Sequence, residues 1–165
     1  QPHRGPAAAR NLGVELASEP IVGFLDADDT WAEGSLARAL DAWEGRAESS
    51  GVHGLTQLVV EDDATTAASQ SVGLPWRSPQ VGSIVIRSDV AKMIRFDETL
   101  ARGEDLDWFV RLRESGRELT FLDEVLLQYR IHGQNMTLGM NPDERNTFLV
   151  LKRALDRRRG HERID

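Results

Sequence analysis

Residues 21–31 read IVGFLDADDTW, and this stretch decides how the rest of the chain is interpreted. Its first five residues include β-branched and aromatic side chains, which is typical of a buried strand. Asp26, Asp28 and Asp29 follow directly, so the strand is predicted to deliver carboxylates to one edge of a sheet. Clustered carboxylates repel one another and lose hydration when they are enclosed. We therefore expect a neutralising partner here, either a metal ion or a donor group.

The segments on either side of this strand have helical patterns. Pro6 stands at the start of an Ala- and Leu-rich run that predicts a helix to residue 17, since a proline in the first turn removes no needed donor. After the acidic residues, apolar side chains recur at helical spacing over residues 32–46. A helix, a strand and a second helix in this order predict the α/β class.

The remaining segments continue this alternation. Gly116 is placed to end a helix that begins at Glu104. A last helix is expected over residues 141–160, with acids in its first turn and arginines in its last. The other predicted elements are strands at 52–60, 82–87, 118–121 and 125–131 and a helical turn at 89–94.

Length and composition predict one soluble domain covering residues 1–165. The chain is 40% hydrophobic with a net charge of −7, so a general attraction to nucleic acid or to anionic lipid is not expected. The absence of cysteine excludes disulfides and thiolate metal sites and fits a reducing compartment. No apolar run is long enough to span a bilayer, and no signal peptide is recognised. The sequence carries no signal for an oligomeric state.

A second candidate site follows Gly103. Glu104 and Asp105 begin a predicted helix, where acids often serve only to complement the helix dipole. Trp108 lies on the same helical face as Asp105, so a carboxylate and a flat apolar surface could border one pocket. Such a pocket suits a sugar ring, with Asp105 as a general base.

A third candidate is His132, which follows Tyr129 and Arg130 at the end of a predicted strand. A lone histidine is more often a surface or hydrogen-bonded residue. Near a carboxylate site it could instead complete a metal shell or contact phosphate. The sequence leaves both interpretations open.

Taken in order, four motifs resemble glycosyltransferase family 2. They are ARN at 9–11, FLDADD at 24–29, RGEDLDW followed by VRLRESG at 102–116, and YRIHGQNMT at 129–137. The resemblance implies a GT-A fold, a three-layer α/β/α arrangement with a mostly parallel central sheet. It also implies transfer of a sugar, with inversion, from a UDP-, GDP- or dTDP-sugar to a hydroxyl of a glycan, a lipid-linked acceptor or another molecule. Such an enzyme would be cytoplasmic or peripheral to the inner face of the membrane.

The same resemblance assigns roles to individual residues. Asp28 and Asp26 correspond to the family's DXD element, which would bind Mn²⁺ or Mg²⁺ and the nucleotide sugar. Asp105 corresponds to the base that activates the acceptor hydroxyl. The supporting roles implied are Glu104 beside the base, Trp108 at the acceptor, Arg4 and Arg10 near the donor, and His132 near the metal and diphosphate.

The sequence also departs from the family pattern. Members normally begin with a strand, a loop containing Pro and Asn, a helix and a second strand, which together bind the nucleotide base. The present sequence starts near the second half of that region, so we expect an N-terminally truncated domain with weak donor binding. Ile94 and Arg95 also stand where a glycine pair is often found.

Two alternatives use the same residues. In a haloacid dehalogenase-like phosphatase, Asp26 would be the nucleophile and Asp28 the acid/base. That pattern needs a later lysine, for which there are only Lys92 and Lys152, and GEDLD fits its metal motif poorly. In the other alternative, the chain is a non-catalytic transferase remnant that binds a partner through the Trp76 loop or the basic last helix.

Overall fold

Within the described residues, five strands form one mixed sheet in the order β1-β4-β3-β5-β2. The computed structural model describes residues 4–60, 73–131 and 146–161. The strands are β1 (Ile21–Gly23), β2 (Thr30–Trp31), β3 (Gly51–Val60), β4 (Ile84–Arg87) and β5 (Thr120–Ile131). The helices are α1 (Gly5–Leu16), α2 (Ser35–Trp43), α3 (Ser88–Met93), α4 (Glu104–Glu114) and α5 (Thr147–His161).

The α/β class is confirmed, but the expectation of a mostly parallel sheet is wrong. Strand β4 lies between β1 and β3 and runs antiparallel to both. Strand β2 is antiparallel to β5, so the only parallel pairing in the described sheet joins β3 to β5. Strands β1, β3 and β5 do run in one direction. That common direction yields only one parallel pairing because β4 separates β1 from β3.

Strand β4 explains the three layers, because its residues alternate between the two faces of the sheet. Ile84 and Ile86 belong to a core cluster with residues of α1, α3 and α4. Val85 points to the other face and packs with Ala39 of α2 and with Val52. Both faces of the sheet are therefore covered by helices.

Strand β5 is continuous, whereas the sequence predicted two strands with a break near Asp123. The strand pairs with β3 along its length, and irregularities in register between His53 and Thr56 absorb the mismatch. Polar residues at 123–124 are exposed on this strand and do not interrupt it. The break was inferred from polarity, but backbone pairing decides the strand.

The segment after the acidic residues also differs from expectation. The helix predicted over residues 32–46 begins later, at Ser35, and Thr30 before it pairs with Gln128 in β2. The predicted start of the last helix, residues 141–145, lies outside the described residues, and α5 is described from Thr147. In the described part of the chain, no helix has the length and apolarity needed to cross a membrane.

Candidate active site

Arg10 is the centre of a cluster of three carboxylates drawn from distant parts of the chain. One terminal nitrogen donates to Glu104 Oε1 at 2.9 Å and to Asp105 Oδ1 at 2.7 Å. The other donates to both oxygens of Asp26, at 2.8 and 3.0 Å. The Arg10 side chain is only 10% exposed. The guanidinium therefore joins the acidic loop after β1 to the beginning of α4.

Local structure explains how these side chains meet. Gly103 adopts a left-handed conformation, with φ of 75°, and turns the chain into α4 so that Glu104 and Asp105 occupy its first turn. Next to Arg10, the buried Asn11 side chain donates to the Phe96 carbonyl at 2.9 Å and accepts from the Phe96 N–H at 2.8 Å. Asn11 thus fixes α1 against the segment that leads to α4. Sequence analysis gave Asn11 no role, although it belongs to the ARN motif.

The Asp105 carboxyl has an environment suited to proton transfer near neutral pH. Burial raises its pKa to about 7, Arg10 opposes this rise, and the neighbouring Glu104 adds to it. The side chain is nevertheless 23% exposed. Its second oxygen accepts a longer hydrogen bond from the Val81 N–H at 3.3 Å. Asp105 is therefore reachable from solvent, and its pKa lies well above that of an ordinary aspartate.

The acidic loop is anchored to the end of β5. The Arg130 N–H donates to Asp29 Oδ1 at 3.0 Å, and the Arg130 side chain donates to the Asp28 carbonyl at 2.5 Å. Burial raises the pKa of Asp29 to about 6, although the Arg130 N–H opposes the rise. Asp29 is thus a structural anchor for the loop.

The predicted DXD residues offer hard oxygen donors but not a complete metal cage. Within residues 4–60, 73–131 and 146–161, no group of three or more His, Asp or Glu side chains is arranged to hold a metal ion. Asp26 already has a cationic partner in Arg10, and His132 lies outside the described residues. One or two carboxylates are nevertheless what Mg²⁺ commonly takes from a protein when phosphates complete its shell. A metal site shared by Asp28 and Asp26 stays a prediction.

The structure does not bear out Trp108 as a wall for an acceptor. The side chain is 0% exposed and belongs to the core. Its ring stacks on Phe96, with centroids 5.5 Å apart. The i, i+3 spacing indicates a helical face but not what packs against it, and the core covers the whole Trp108 surface.

Arg4 immediately precedes α1. It donates to Glu98 at 2.7 Å and its side chain is 61% exposed. Its predicted role near the donor stays a prediction. Asp26, the nucleophile of the phosphatase alternative, has both oxygens engaged by Arg10.

The fold of the described residues is similar to that of solved structures. The most similar architectures include Staphylococcus aureus TarS residues 1–349, solved in complex with UDP, with a TM-score of 0.59 and 17% sequence identity. That match covers 78% of this chain and 40% of the TarS chain. At this sequence identity, the similarity shows the fold alone.

Sequence comparison finds similarity to glycosyltransferases. The model for glycosyl transferase family 2 matches residues 1–77. The chain is 27% identical to the amylovoran biosynthesis glycosyltransferase AmsB of Erwinia amylovora, over 76% of this chain and 46% of that protein. It is 32% identical to the pre-mycofactocin glycosyltransferase of Mycobacterium tuberculosis, over 73% of this chain and 29% of that protein. Residues 1–77 therefore resemble glycosyltransferase family 2, and the chain spans less than half the length of these two relatives.

Proposed function

We propose that this chain carries catalytic residues of a transferase that moves a sugar from a nucleotide diphosphate sugar to an acceptor hydroxyl with inversion. The observation that carries the proposal is the Arg10 cluster. It holds Asp105, a partly exposed carboxyl with a pKa of about 7, beside Asp26 of the acidic loop. A candidate base and a candidate donor site thus share one counter-ion.

Asp105 acts as the general base in this proposal. A carboxylate offers about four lone-pair positions, and the described contacts of Asp105 use one on each oxygen. A position remains for the acceptor hydroxyl. The carboxylate takes the hydroxyl proton while the acceptor oxygen bonds to the anomeric carbon and the bond to the diphosphate breaks on the opposite face. One displacement of this kind inverts the anomeric centre.

Asp28 and Asp26 are the residues that would hold Mg²⁺ or Mn²⁺ together with the donor diphosphate. The ion, when bound, would neutralise charge that develops on the leaving diphosphate. The nearby Arg10 keeps its positive charge, because burial lowers its pKa but Asp105, Asp26 and Glu104 together raise it. UDP is the first nucleotide to try, since it is the one bound by TarS. A glycan acceptor is suggested by the relative named for amylovoran biosynthesis.

The decisive experiment separates donor binding from transfer. UDP is titrated in the presence of Mn²⁺ against the wild type, Asp28→Asn and Asp105→Asn, and sugar release from UDP-sugars is followed with a panel of glycan acceptors. We expect Asp105→Asn to bind UDP normally but to lose about 10²- to 10⁴-fold in transfer rate. Asp28→Asn should weaken metal-dependent UDP binding.

A matched control is Asp123→Asn, which removes an exposed carboxyl on β5. This variant should behave as the wild type in both assays. Wild-type protein that bound no nucleotide and transferred no sugar would refute the proposal for this chain. Full activity in Asp105→Asn would refute the assignment of the base.

A further inference from the structure

A cavity of about 740 Å³ lies beside α4, on the side of the helix that leads away from the Arg10 cluster. We call it the α4 cavity. One wall is formed by α4 through Phe109 and Arg113, and the facing wall by the segment Arg77, Ser78 and Pro79. None of these residues was assigned a function by the sequence motifs or by the proposed chemistry.

Both walls of the α4 cavity converge on Asp105. Asp105, Phe109 and Arg113 are spaced i, i+4 and i+8, so they follow one side of the helix. The facing segment continues to Val81, whose N–H reaches Asp105 Oδ2 at 3.3 Å. With a rise of 1.5 Å per residue, Arg113 lies roughly 12 Å along the helix axis from Asp105. The lining of the cavity begins at Phe109, about one helical turn beyond Asp105, and continues past Arg113 to the end of the helix.

The α4 cavity is basic in a chain whose net charge is −7. Arg77, Arg113 and Arg117 line it, and in the described part of the chain none of the three forms an ion pair. Glu118 is the acidic residue in the lining. The Arg77 guanidinium lies over the Phe121 ring at 4.4 Å, which restricts its orientation.

A buried histidine adds hydrogen-bonding capacity without charge. His53 is 5% exposed and its Nε2 lies 2.9 Å from the Ser78 carbonyl, so Nε2 carries the proton and donates. Burial and the nearby Arg77 lower the pKa of His53 to about 4, although the hydrogen bond to Ser78 opposes the fall. The ring is therefore neutral at pH 7, with Nδ1 as an acceptor. The cations of the cavity are the arginines alone.

We propose that the α4 cavity is the acceptor subsite of the transferase and binds an oxyanion, a phosphate or carboxylate group, on the acceptor. The identification of the ligand as the acceptor rests on the proposed function, but the binding of an anion does not. Arginine suits the task because its planar fork pairs with two oxygens of phosphate or carboxylate at once. Three arginines without ion-pair partners, on walls that lead to the base, select an acidic acceptor over a neutral one.

The test measures binding to the full chain without requiring transfer. The probes are glucose 6-phosphate, glucuronate and, as the neutral control, glucose, each titrated by isothermal calorimetry and by ¹H–¹⁵N NMR. We expect one or both acidic probes to bind at least tenfold more tightly than glucose and to shift the amide signal of Gly116, which lines the cavity. The two acidic arms distinguish phosphate from carboxylate.

The variants are Arg113→Gln, Arg117→Gln and the double variant, with Arg95→Gln as the control. Arg95 is 55% exposed and lies 3.7 Å from Glu15, outside the cavity lining. The double variant should lose at least tenfold in affinity for the acidic probe while Arg95→Gln stays unchanged, and urea unfolding verifies that each variant is folded. Equal affinity for glucose and the acidic probes, no measurable binding of either, or unchanged affinity in the folded double variant would overturn the proposal.

The outcomes also separate this proposal from the proposed function. Asp105→Asn should bind the acidic probe as the wild type does, since it removes no arginine. Anion binding at the arginines without any sugar transfer would leave the cavity as an anion site and refute the transferase. Sugar transfer with no anion selectivity would refute the subsite alone.

Discussion

Replacing Arg10 by methionine is the sharpest test of the structural argument, because it removes the charge and keeps most of the aliphatic stem. The Arg10 side chain is 10% exposed, and its partners Glu104 and Asp105 are 11% and 23% exposed. Removing one partner of a buried ion pair costs about 3–5 kcal/mol, because the remaining charge has no compensation. Asp26 is 51% exposed and adds little. Since the pairs are only partly buried, we expect a loss of about 3 kcal/mol at pH 8.

This loss should depend on pH, and the direction follows from Asp105. The pKa of Asp105 is about 7 in the folded state and about 4 in the unfolded state. Between pH 4 and pH 7 the native state therefore binds more protons than the unfolded state, and stability falls as the pH rises. Without Arg10 the folded pKa of Asp105 rises further, because Arg10 opposes the rise, and this extends the fall in stability to higher pH. The variant should therefore be destabilised less at pH 5.5 than at pH 8.

Urea unfolding followed by circular dichroism at pH 5.5 and pH 8 measures both quantities. Arg4→Met is the matched control, since the Arg4–Glu98 pair is largely exposed and should contribute less than about 1 kcal/mol at either pH. Equal destabilisation of Arg10→Met at the two pH values would contradict the assigned role of Asp105. So would a loss no larger than that of the control.

Three further predictions test the base, the core and the sheet. The rate of transfer at low substrate should fall tenfold per pH unit below the Asp105 pKa of about 7, because only the carboxylate accepts a proton; a pH–rate profile that is flat from 5 to 8 would exclude this base. Trp108→Ala should lower the free energy of unfolding in urea by about 3–5 kcal/mol. A folded Trp108→Phe variant should keep the wild-type KM for the acceptor. A raised KM in that variant would support a role for Trp108 in acceptor binding. Gly51→Ala should cost about 1–3 kcal/mol, because the added Cβ would lie 2.8 Å from Ile86 Cα and overlap the Val85 carbonyl. Gly13 on α1 has open space around it, so Gly13→Ala should instead stabilise the protein by about 0.5–1 kcal/mol. A loss of stability comparable to that of Gly51→Ala would show that steric contact does not explain the difference between the two glycines.

Patterns that are local in sequence predicted the helices and strands well, because each depends on neighbours within one or two turns. Helix α1 and strand β3 were expected within two residues of their observed bounds. The pairing of strands was not predicted, since the position of β4 between β1 and β3 depends on backbone partners far away in the chain. Strand β2 was missed for the same reason: two residues carry no periodicity, and only their pairing with β5 defines them.

The same distinction between local patterns and distant contacts applies to the candidate site. Asp26 and Asp105 could be chosen from the sequence because each stands at the end or beginning of a recognisable element. Trp108 was assigned to the acceptor because spacing gives a helical side but not what packs against it, and the core stack with Phe96 is contact between distant segments. The α4 cavity was invisible for the same reason, since its two walls come from separate parts of the chain.

Arg10 supplies the positive charge that the clustered acids after β1 require. Clustered acids at the end of β1 required a neutralising partner, and the sequence alone allowed a metal ion or a donor group to supply it. The structure provides an arginine that serves Asp26 and, across 94 and 95 residues of sequence, Glu104 and Asp105. A cation shared in this way ties the charge of the acidic loop to that of the base. Any ligand that draws Asp26 away from Arg10 must therefore also alter the field at Asp105, which gives the two halves of the site a physical means of communication.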